Sequence, residues 1–340
     1  RRVLFRSNMS KEKKRITIYD IARLSGFSPK TVSRVINGGE RVKPETYQAI
    51  QKVIEELSYI PNVYAQNLTR KETTNILISV KKMDSFPLIW FQTLLDNVLQ
   101  SCKKFGVNAI VEYFGEDNSI NESIISSTGS LVDGVIIFYE EKNDIRIQYL
   151  KKNNMPFIVF GESKTPGVTY VSNDNFHATY DMMREISEKG CRNMWLLMGG
   201  HSQVNKDREE GVRRYIEDYQ YKIDIEVVYG LKTIESVYTY AIKKLTRGNT
   251  PDIIFISGDE KVQGLIRACY EKEISIPGEL SIIGFDNIPI SKYYTPALST
   301  ISPNYVNLAQ EMIKGVLAII RGENINSVVV STELVRRQSF

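Results

Sequence analysis

Hydrophobic positions near the start of the chain repeat with the spacing of short helices. Three segments show this spacing: Ile18, Ile21, Ala22 and Leu24; Val32, Val35 and Ile36; and Ala49, Ile50, Val53, Ile54 and Leu57. Ser25-Gly26-Phe27 separates the first two segments, Ser28 can cap the second helix, and Pro29 suits its first position. Two short helices joined by a glycine-containing turn predict a helix-turn-helix, with a third helix after Pro44.

From Thr73 onward the pattern changes, because short apolar runs alternate with longer segments of helical spacing. The predicted strands are 76–80, 109–113, 134–138, 157–160, 194–198, 225–228, 253–256 and 280–283. The predicted helices are 88–105, 176–188, 208–218, 234–246, 262–271 and 306–321. Alternating strands and helices favour doubly wound parallel sheets, and this many strands suggests two of them. The predicted fold is therefore a small all-α helix-turn-helix headpiece and an α/β body of two doubly wound parallel-sheet lobes.

The polar positions of the second helix suit a nucleic acid. Lys30, Thr31, Ser33 and Arg34 lie between its apolar residues, on the side expected to face solvent. In a helix-turn-helix this face enters the major groove, where Lys30 and Arg34 match the acceptors of guanine. Donors expected to reach phosphates are Thr17, Tyr19, Ser28, Ser33 and Asn37. The alternative is a solvated helix face, but the ordered array of helices, turn and donors favours DNA.

Charge sharpens this division of the chain. Residues 9–71 carry twelve Lys or Arg and six Asp or Glu, a net of +6, whereas residues 72–340 carry a net of −5. A basic head on an acidic body indicates that the head meets a polyanion. Residues 1–8 fit no structural pattern, so we expect them to be a non-native extension and Met9 to be the start.

Several classes of protein are excluded or disfavoured by what the sequence lacks. Three widely spaced cysteines without a CxxC, and only two histidines, predict neither a disulfide framework nor a metal site. No run of 18 apolar residues predicts a membrane span, and no secretion signal is recognisable, so a cytoplasmic protein is expected. The GxSxG, GxxxxGKS and GxGxxG motifs are absent, which leaves no cofactor and no catalytic residues to predict.

A short amphipathic segment follows the headpiece. Asn62 can cap the stretch from Val63 to Leu68, which is too short to be a stable helix alone. Taken alone, this stretch could equally be an ordinary linker.

Together these segments resemble the LacI/GalR family of bacterial transcription regulators. TIYDIARLSGFSPKTVSRVINGG, from Thr17 to Gly39, is similar to the headpiece of that family, and YIPNVYAQNL, from Tyr59 to Leu68, is similar to its hinge helix. The resemblance implies that Leu68 is a wedge which two subunits insert side by side into the minor groove, and that Ala65 lets the paired hinge helices approach. It also implies that Pro29 and Lys30 occupy positions that vary with the operator.

The body resembles the same family more loosely, through Val132-Asp133-Gly134, Asp174-Asn175, Arg208-x-x-Gly211, Gly284-Phe285-Asp286-Asn287 and Leu334-x-x-Arg337. The resemblance implies a periplasmic-binding-protein-like body that binds a small effector between its lobes. The expected divisions are a headpiece over 9–61, a hinge and linker over 62–72, an N-terminal lobe over 73–188 and 304–326, and a C-terminal lobe over 189–303 and 327–340.

The resemblance further implies that Asp174, Arg208 and Asp286 lie in the effector cleft. Two carboxylates and a guanidinium suit adjacent sugar hydroxyls. Aromatic residues expected to form its walls are Phe86, Trp90 and Tyr305, each of which could instead be plain core. Gly258 stands where the family usually has a polar residue before Asp259, so either one effector hydrogen bond is missing or the lobe binds something different. Ala178 replaces a frequent glycine of the family. Lys81-Lys82 could attract an anionic effector such as a sugar phosphate, or could be a solvated strand end.

The predicted function is a DNA-binding transcription regulator, expected to be a repressor of carbohydrate-utilisation genes, whose operator affinity depends on a sugar or sugar derivative. Its expected partners are double-stranded operator DNA and a second copy of the chain, with a tetramer left open. The alternatives are a solute-binding protein without a regulatory role, a regulator that responds to a metabolite such as a purine, and an enzyme on an α/β scaffold. The missing catalytic motifs and the attached headpiece disfavour the first and last of these.

Overall fold

In the computed structural model the described residues are 16–36, 42–57, 59, 74–81, 88–115, 119–127 and 131–340. The chain divides into two compact units, residues 1–73 and residues 74–340. The predicted boundary at the end of the linker therefore differs by one residue from the observed division.

The first unit contains the three predicted helices, α1 (Ile18–Ser25), α2 (Pro29–Ile36) and α3 (Pro44–Glu56). The Asp20 carboxylate accepts hydrogen bonds from the backbone N–H and the hydroxyl of Thr17 (2.9 and 2.7 Å), which fixes the start of α1. Gly26 ends α1 in the left-handed region at φ +73°, and the Ser28 hydroxyl accepts a hydrogen bond from the Thr31 N–H (3.2 Å) at the start of α2.

The three helices share a small apolar core formed by Ile21, Ala22, Val32, Val35 and Ile50. Val53, Ile54 and Leu57 pack against this core as predicted, but Ala49 is exposed. Ala49 directly precedes the buried Ile50, so the two side chains point about 100° apart around the helix and only one of them can face the core.

The second unit contains two six-stranded sheets with helices on both faces. The strands are β1 (Asn75–Lys81), β2 (Asn108–Phe114), β3 (Gly134–Phe138), β4 (Phe157–Phe160), β5 (Tyr170–Asn173), β6 (Asn193–Leu197), β7 (Asp224–Val228), β8 (Ile253–Ile256), β9 (Ser281–Phe285), β10 (Ser299–Pro303), β11 (Val328–Val330) and β12 (Thr332–Val335). The helices are α4 (Leu88–Lys104), α5 (Ile124–Ser127), α6 (Ile145–Lys152), α7 (Asn175–Lys189), α8 (Gln203–Tyr219), α9 (Ile234–Lys244), α10 (Val262–Glu271) and α11 (Tyr305–Ile320).

Both sheets have the predicted parallel, doubly wound topology. The N-terminal lobe has the order β11-β5-β4-β3-β1-β2 with every pairing parallel, and the C-terminal lobe has β12-β10-β9-β8-β6-β7 with only β10–β12 antiparallel. Successive residues of β1 enter opposite core clusters, since Ile76 and Ile78 contact the side with α4 and α11, and Leu77 contacts the side with α6. A strand that is buried on both faces lies under two helical layers, which explains its continuous apolar run.

The packing differs from the predicted lobe boundaries at two places. Met182, Met183 and Ile186 of α7 lie in the same core cluster as Phe255 of β8, so this helix packs on the sheet of the C-terminal lobe. The chain therefore enters the C-terminal lobe after β5, rather than between residues 188 and 189. β11 pairs with β5, so residues 328–330 belong to the sheet of the N-terminal lobe, although we predicted them in the other.

Candidate functional site

The exposed face of α2 carries Lys30 and Arg34, as the sequence predicted. Val32 and Val35 are buried in the headpiece core, whereas Pro29, Lys30 and Arg34 are exposed. Because the apolar stripe fixes how the helix rotates on the core, both cations project into solvent on the opposite side. This side of α2 therefore offers two side chains suited to guanine edges.

The remaining predicted DNA contacts fall into two groups. Tyr19 is 70% exposed and Thr17 and Ser28 are exposed, while Thr31 and Ser33 are half-buried. The hydroxyls of Thr17 and Ser28 already bond to Asp20 and Thr31, so they help to shape the helix starts. Four predicted residues, Asn37, Asn62, Ala65 and Leu68, lie outside the described residues.

A cleft of about 1140 Å³ lies between the two lobes of the second unit, at the carboxyl ends of the strands. Ligands of doubly wound folds bind at this end of the sheets. Of the predicted effector residues, Trp90, Arg208 and Asp286 line this cleft. Phe86 lies outside the described residues.

Arg208 is fixed by a buried hydrogen-bond network at the base of the cleft. Its Nε donates to the Asn175 side chain (3.0 Å) and one terminal nitrogen donates to the Ser257 hydroxyl (2.6 Å). The guanidinium lies 3.4 Å from the ring centroid of Phe285. Ser257 donates in turn to Asn205, which lies almost one helical turn before Arg208 (2.6 Å). Burial lowers the pKa of Arg208 to about 10, although Asp286 raises it, so the group stays charged at neutral pH.

Asp286 follows β9 with its backbone at φ +112°, a conformation that L side chains rarely adopt. Burial raises the pKa of this carboxyl to about 7, and the positive charges of Arg208 and Lys261 oppose that rise. Near neutral pH the group can therefore both accept and donate hydrogen bonds. Convergence of Asp286, Arg208 and Lys261 gives the C-terminal lobe a polar face suited to hydroxyl-bearing ligands.

Aromatic side chains form the facing wall in the N-terminal lobe. Trp90 packs against Tyr139 and Phe160, with ring centroids 6.2 and 5.9 Å apart, and all three line the cleft. Tyr305 is not among the lining residues. It begins α11, and its hydroxyl donates to the backbone carbonyl of Asp286 (2.6 Å), so it connects the lobes beside the cleft.

Asp174 lies at the start of α7 and not on the cleft wall. One carboxylate oxygen accepts from the His177 N–H (3.0 Å), and the other lies 2.8 Å from Nδ1 of the same residue. These contacts turn the side chain toward its own helix, where a carboxylate is favoured. The next residue, Asn175, lines the cleft and holds Arg208, so the sequence motif was placed correctly but its acting side chain was not.

Lys81 is not the solvated strand end that one interpretation of its sequence position suggested. It is buried, with Nζ 3.1 Å from a Glu141 carboxylate oxygen and 5.5 Å from the ring centroid of Phe114. A strand-end lysine with this ion pair is part of the cleft wall rather than a solvated terminus. Lys82 lies outside the described residues.

The segment 257–261 contributes more to the site than the sequence predicted. Gly258 has φ +125°, which explains why glycine replaces the expected polar residue. Asp259 is buried and accepts hydrogen bonds from Thr300 (2.7 Å) and the Ile288 N–H (3.1 Å); burial raises its pKa well above the ordinary range. Burial also lowers the pKa of Lys261 to about 8. The other family departure, Ala178, is buried in the C-terminal lobe core.

Glu260 connects the two lobes directly. Its carboxylate accepts hydrogen bonds from the backbone N–H groups of Ile89 and Trp90, at 2.6 and 3.2 Å. These groups belong to the first turn of α4, whose N–H groups and dipole favour an anion. Sequence reasoning missed this residue, because nothing in the local pattern around Glu260 points to a contact with Ile89, 171 positions earlier.

The described part of the chain shows neither a candidate metal site nor a candidate membrane span. No group of three or more His, Cys, Asp or Glu among these residues could hold a metal ion. None of the helices within the described ranges is long and apolar enough to cross a membrane.

A three-helix headpiece with a basic recognition helix, followed by a two-lobed body with a polar cleft, defines a ligand-responsive DNA-binding regulator. The profile of the bacterial regulatory proteins of the lacI family matches residues 17–62, and that of the periplasmic binding protein-like domain matches residues 183–340. The chain therefore joins a lacI-family DNA-binding region to a periplasmic binding protein-like region. These two matches, with the similarity to known regulators, confirm the predicted fold class and the predicted regulatory function.

Among its relatives, Catabolite control protein A of Priestia megaterium is 25% identical over 320 residues, covering 93% of this chain and 96% of the relative. Catabolite control protein A of Staphylococcus xylosus is 26% identical over 297 residues, covering 84% and 87%. The lac repressor dimer bound to operator and the anti-inducer ONPF has a TM-score of 0.80 at 23% identity, covering 96% of this chain and 99% of that one. The transcriptional regulator CelR–cellobiose complex has a TM-score of 0.68 at 23% identity, covering 96% and 100%.

Proposed function

We propose that this regulator is an operator-binding repressor of carbohydrate-utilisation genes whose DNA affinity is set by a saccharide in the cleft. The observation that carries the proposal is the arrangement of Arg208 and Asp286 on the C-terminal lobe, in the same cleft as the aromatic wall at Trp90. A mostly apolar wall with a few fixed polar groups is typical of small-ligand sites. The similarity to the CelR–cellobiose complex supports a saccharide as the ligand class.

For DNA, we propose that α2 enters the major groove, with Lys30 and Arg34 at base edges and Pro29 and Thr31 beside them. Thr17, Tyr19, Ser28, Ser33 and Asn37 would contact the phosphate backbone. Asn62 would begin a hinge helix, in which Ala65 allows two copies to approach and Leu68 enters the minor groove. This arrangement requires a homodimer, and the lac repressor, a dimer on its operator, supports that stoichiometry.

The effector would act by binding two conformations of the body with different affinity. The lobes meet through Tyr305 and Glu260, so a ligand that changes their closure changes these contacts as well. An effector shifts the equilibrium only as far as its affinities for the two states differ. We propose a cytoplasmic regulator in which Arg208 and Asp286 bind the effector and have no catalytic role.

The test is a DNA-shift titration on the promoter beside the gene, with a panel of saccharides and with purines as the competing class. We expect one saccharide class to change the operator affinity of the unaltered protein. Arg208→Ala should bind the operator normally but lose the response, because its guanidinium organises the base of the cleft. Arg213→Ala, an exposed arginine of the same helix, is the matched control and should respond normally.

A response to purines alone would replace the saccharide with the alternative effector, and no response to either class would remove the proposed effector control. An intact response in Arg208→Ala would show that the effector binds elsewhere.

A further inference from the structure

Carboxylates outnumber cations among the described residues that line the cleft. The six carboxylates are Glu140, Glu141, Glu162, Glu235, Glu260 and Asp286, and the four cations are Lys81, Arg208, Lys232 and Lys261. An anionic group that entered this cleft would leave water for a surface with more like charges than opposite ones. The balance therefore disfavours a phosphorylated ligand.

The cations inside the cleft are also occupied by the protein itself. Lys81 is paired with Glu141 at 3.1 Å, and Arg208 is held by Asn175 and Ser257. Lys261 donates to the Leu231 carbonyl at 3.2 Å. The fourth cation, Lys232, is exposed to solvent. A phosphate would compete with existing contacts at three of the four cations, and desolvation would oppose its entry.

Two oxygen atoms of residues that line the cleft need hydrogen-bond donors rather than an anion. Glu140 Oε2 and Asn173 Oδ1 are buried and have no hydrogen-bond partner among the described residues. The second oxygen of Glu140 is fixed, because it accepts from the Thr165 hydroxyl at 2.5 Å. Both residues line the cleft. Since buried acceptors without partners are rare and costly, a ligand that donates hydrogen bonds to them is favoured.

We infer that Glu140 and Asn173 are specificity-determining residues that accept hydrogen bonds from an uncharged, hydroxyl-rich ligand and exclude its phosphorylated form. The inference rests on the proposed function, because it takes the cleft as the effector site. Hydroxyls supply the missing donors, whereas a phosphate group in place of a hydroxyl is mainly an acceptor at neutral pH. Trp90 and Phe160 then cover the less polar surface of the ligand.

The test measures the affinity of the full chain for matched pairs of free and phosphorylated sugars by isothermal titration calorimetry. The probes are glucose and glucose 6-phosphate, trehalose and trehalose 6-phosphate, and cellobiose and cellobiose 6-phosphate. We expect at least one free sugar to bind and its phosphate to bind at least tenfold more weakly.

Two variants test the residues themselves. Glu140→Gln keeps the shape but replaces one carboxylate oxygen with a donor, so the affinity for the free sugar should fall at least fivefold and the discrimination against the phosphate should narrow. Asn173→Ala removes the second acceptor and should lower the affinity for the free sugar. The ratio of the affinities for the free and the phosphorylated sugar should stay unchanged. Glu188→Gln, an exposed carboxylate on α7 outside the cleft, is the control and should change neither affinity.

Tighter binding of the phosphate by the unaltered protein would overturn the inference while leaving sugar control intact. Unchanged affinities in both Glu140→Gln and Asn173→Ala, with melting temperatures near that of the parent, would also overturn it. If no member of any pair binds while the promoter is still bound, sugar control itself fails.

Discussion

At the scale of single residues, Asp286 combines a strained backbone with an unfavourable place for a charge. Its carboxyl is drawn into the cleft, where burial raises its pKa to about 7. Arg208 and Lys261 are its nearest sources of positive charge, and each is itself partly desolvated. The site therefore holds titratable groups close to neutrality, as functional clefts often do.

Asp286→Asn should make the protein less sensitive to pH. The native pKa lies above the unfolded value, so the folded state binds more protons between about pH 4 and pH 7. The free energy of unfolding of the parent should fall as pH rises through that window and then level off. The Asp286→Asn variant lacks this loss. Its free energy of unfolding relative to that of the parent should therefore rise by roughly 1–3 kcal/mol between pH 4 and pH 8.

Urea unfolding at a series of pH values measures this difference, and Asp224→Asn, exposed at the start of β7, is the control. A constant difference between the Asp286→Asn variant and the parent from pH 4 to pH 8 would contradict the raised pKa.

Sequence reasoning located Arg208 and Asp286 because each lies in a short motif that the family resemblance carries with it. It missed Glu140, Glu260 and Lys261, because their roles depend on neighbours that are distant in sequence. Thr165 fixes the Glu140 carboxylate, and the start of α4 contacts Glu260. Only the assembled strands bring these groups to one edge of the sheets.

At the scale of elements, α7 and α8 form a tightly packed pair that supports the base of the cleft. A Cβ on Gly211 would lie 2.2 Å from the Phe176 carbonyl oxygen and 2.4 Å from the Thr179 hydroxyl. That hydroxyl also donates to the Arg208 carbonyl at 2.8 Å. The close approach of the helices therefore sets the position of Asn175 relative to Arg208.

Gly211→Ala should destabilise the body although alanine favours a helix. The gain in helix propensity is about 1 kcal/mol, whereas forcing two packed helices apart costs about 1–3 kcal/mol and the loss should prevail. Effector affinity should fall as well, because the Asn175–Arg208 contact is strained. Denaturant unfolding and ligand titration measure both effects.

Gly115→Ala is the control, since no atom lies within 4 Å of its added Cβ. Stability equal to that of the parent in Gly211→Ala would show that the helices can separate without cost.

One element that the sequence did not predict, β10, has mostly polar buried side chains. In β10, the buried Ser299 hydroxyl accepts from the Arg337 N–H (2.8 Å), and the buried Thr300 hydroxyl donates to Asp259 (2.7 Å). An apolar pattern cannot reveal such a strand. The lobe boundary was misplaced for a related reason, because the apolar stripe of α7 shows that the helix is buried but not which sheet it covers.

The recognition helix gives the second prediction at this scale. Arg34→Ala should weaken specific operator binding by about 1–3 kcal/mol, because it removes a bidentate hydrogen-bond donor to a base edge. Binding to unrelated DNA should change less. Fluorescence anisotropy at constant salt, with operator and scrambled duplexes, measures the two affinities.

Arg23→Ala removes the same charge from the exposed side of α1 and serves as the control. Equal losses on both duplexes in Arg34→Ala would assign this residue to the phosphates instead of a base.

At the scale of the whole molecule, the charge division and the cleft belong to different units. The net positive charge lies in residues 9–71, and the carboxylate-rich cleft lies within the body, residues 74–340. The sequence predicted this division correctly, because net charge and periodicity are sums over many residues. It did not predict which contacts hold the lobes together. Near the cleft, the Glu260 carboxylate contacts the start of α4, and the Tyr305 hydroxyl contacts the Asp286 carbonyl.

Glu260→Gln tests whether the lobes are held together before any ligand arrives. The substitution keeps one acceptor oxygen but removes the charge at the helix start, where such a charge contributes about 0.3–1 kcal/mol. The closed arrangement should become less populated, so the ligand must supply more of the closing free energy. Apparent effector affinity should therefore fall by about twofold to fivefold. X-ray scattering of the ligand-free protein should show a larger radius of gyration, and saturating ligand should restore the parental value.

Glu210→Gln, exposed on α8, removes an equal charge away from the lobe contact and should leave both quantities unchanged. If Glu260→Gln binds ligand as tightly as the parent and scatters identically without it, the carboxylate does not contribute to closure, and the lobes must be held by the Tyr305 contact and the ligand alone.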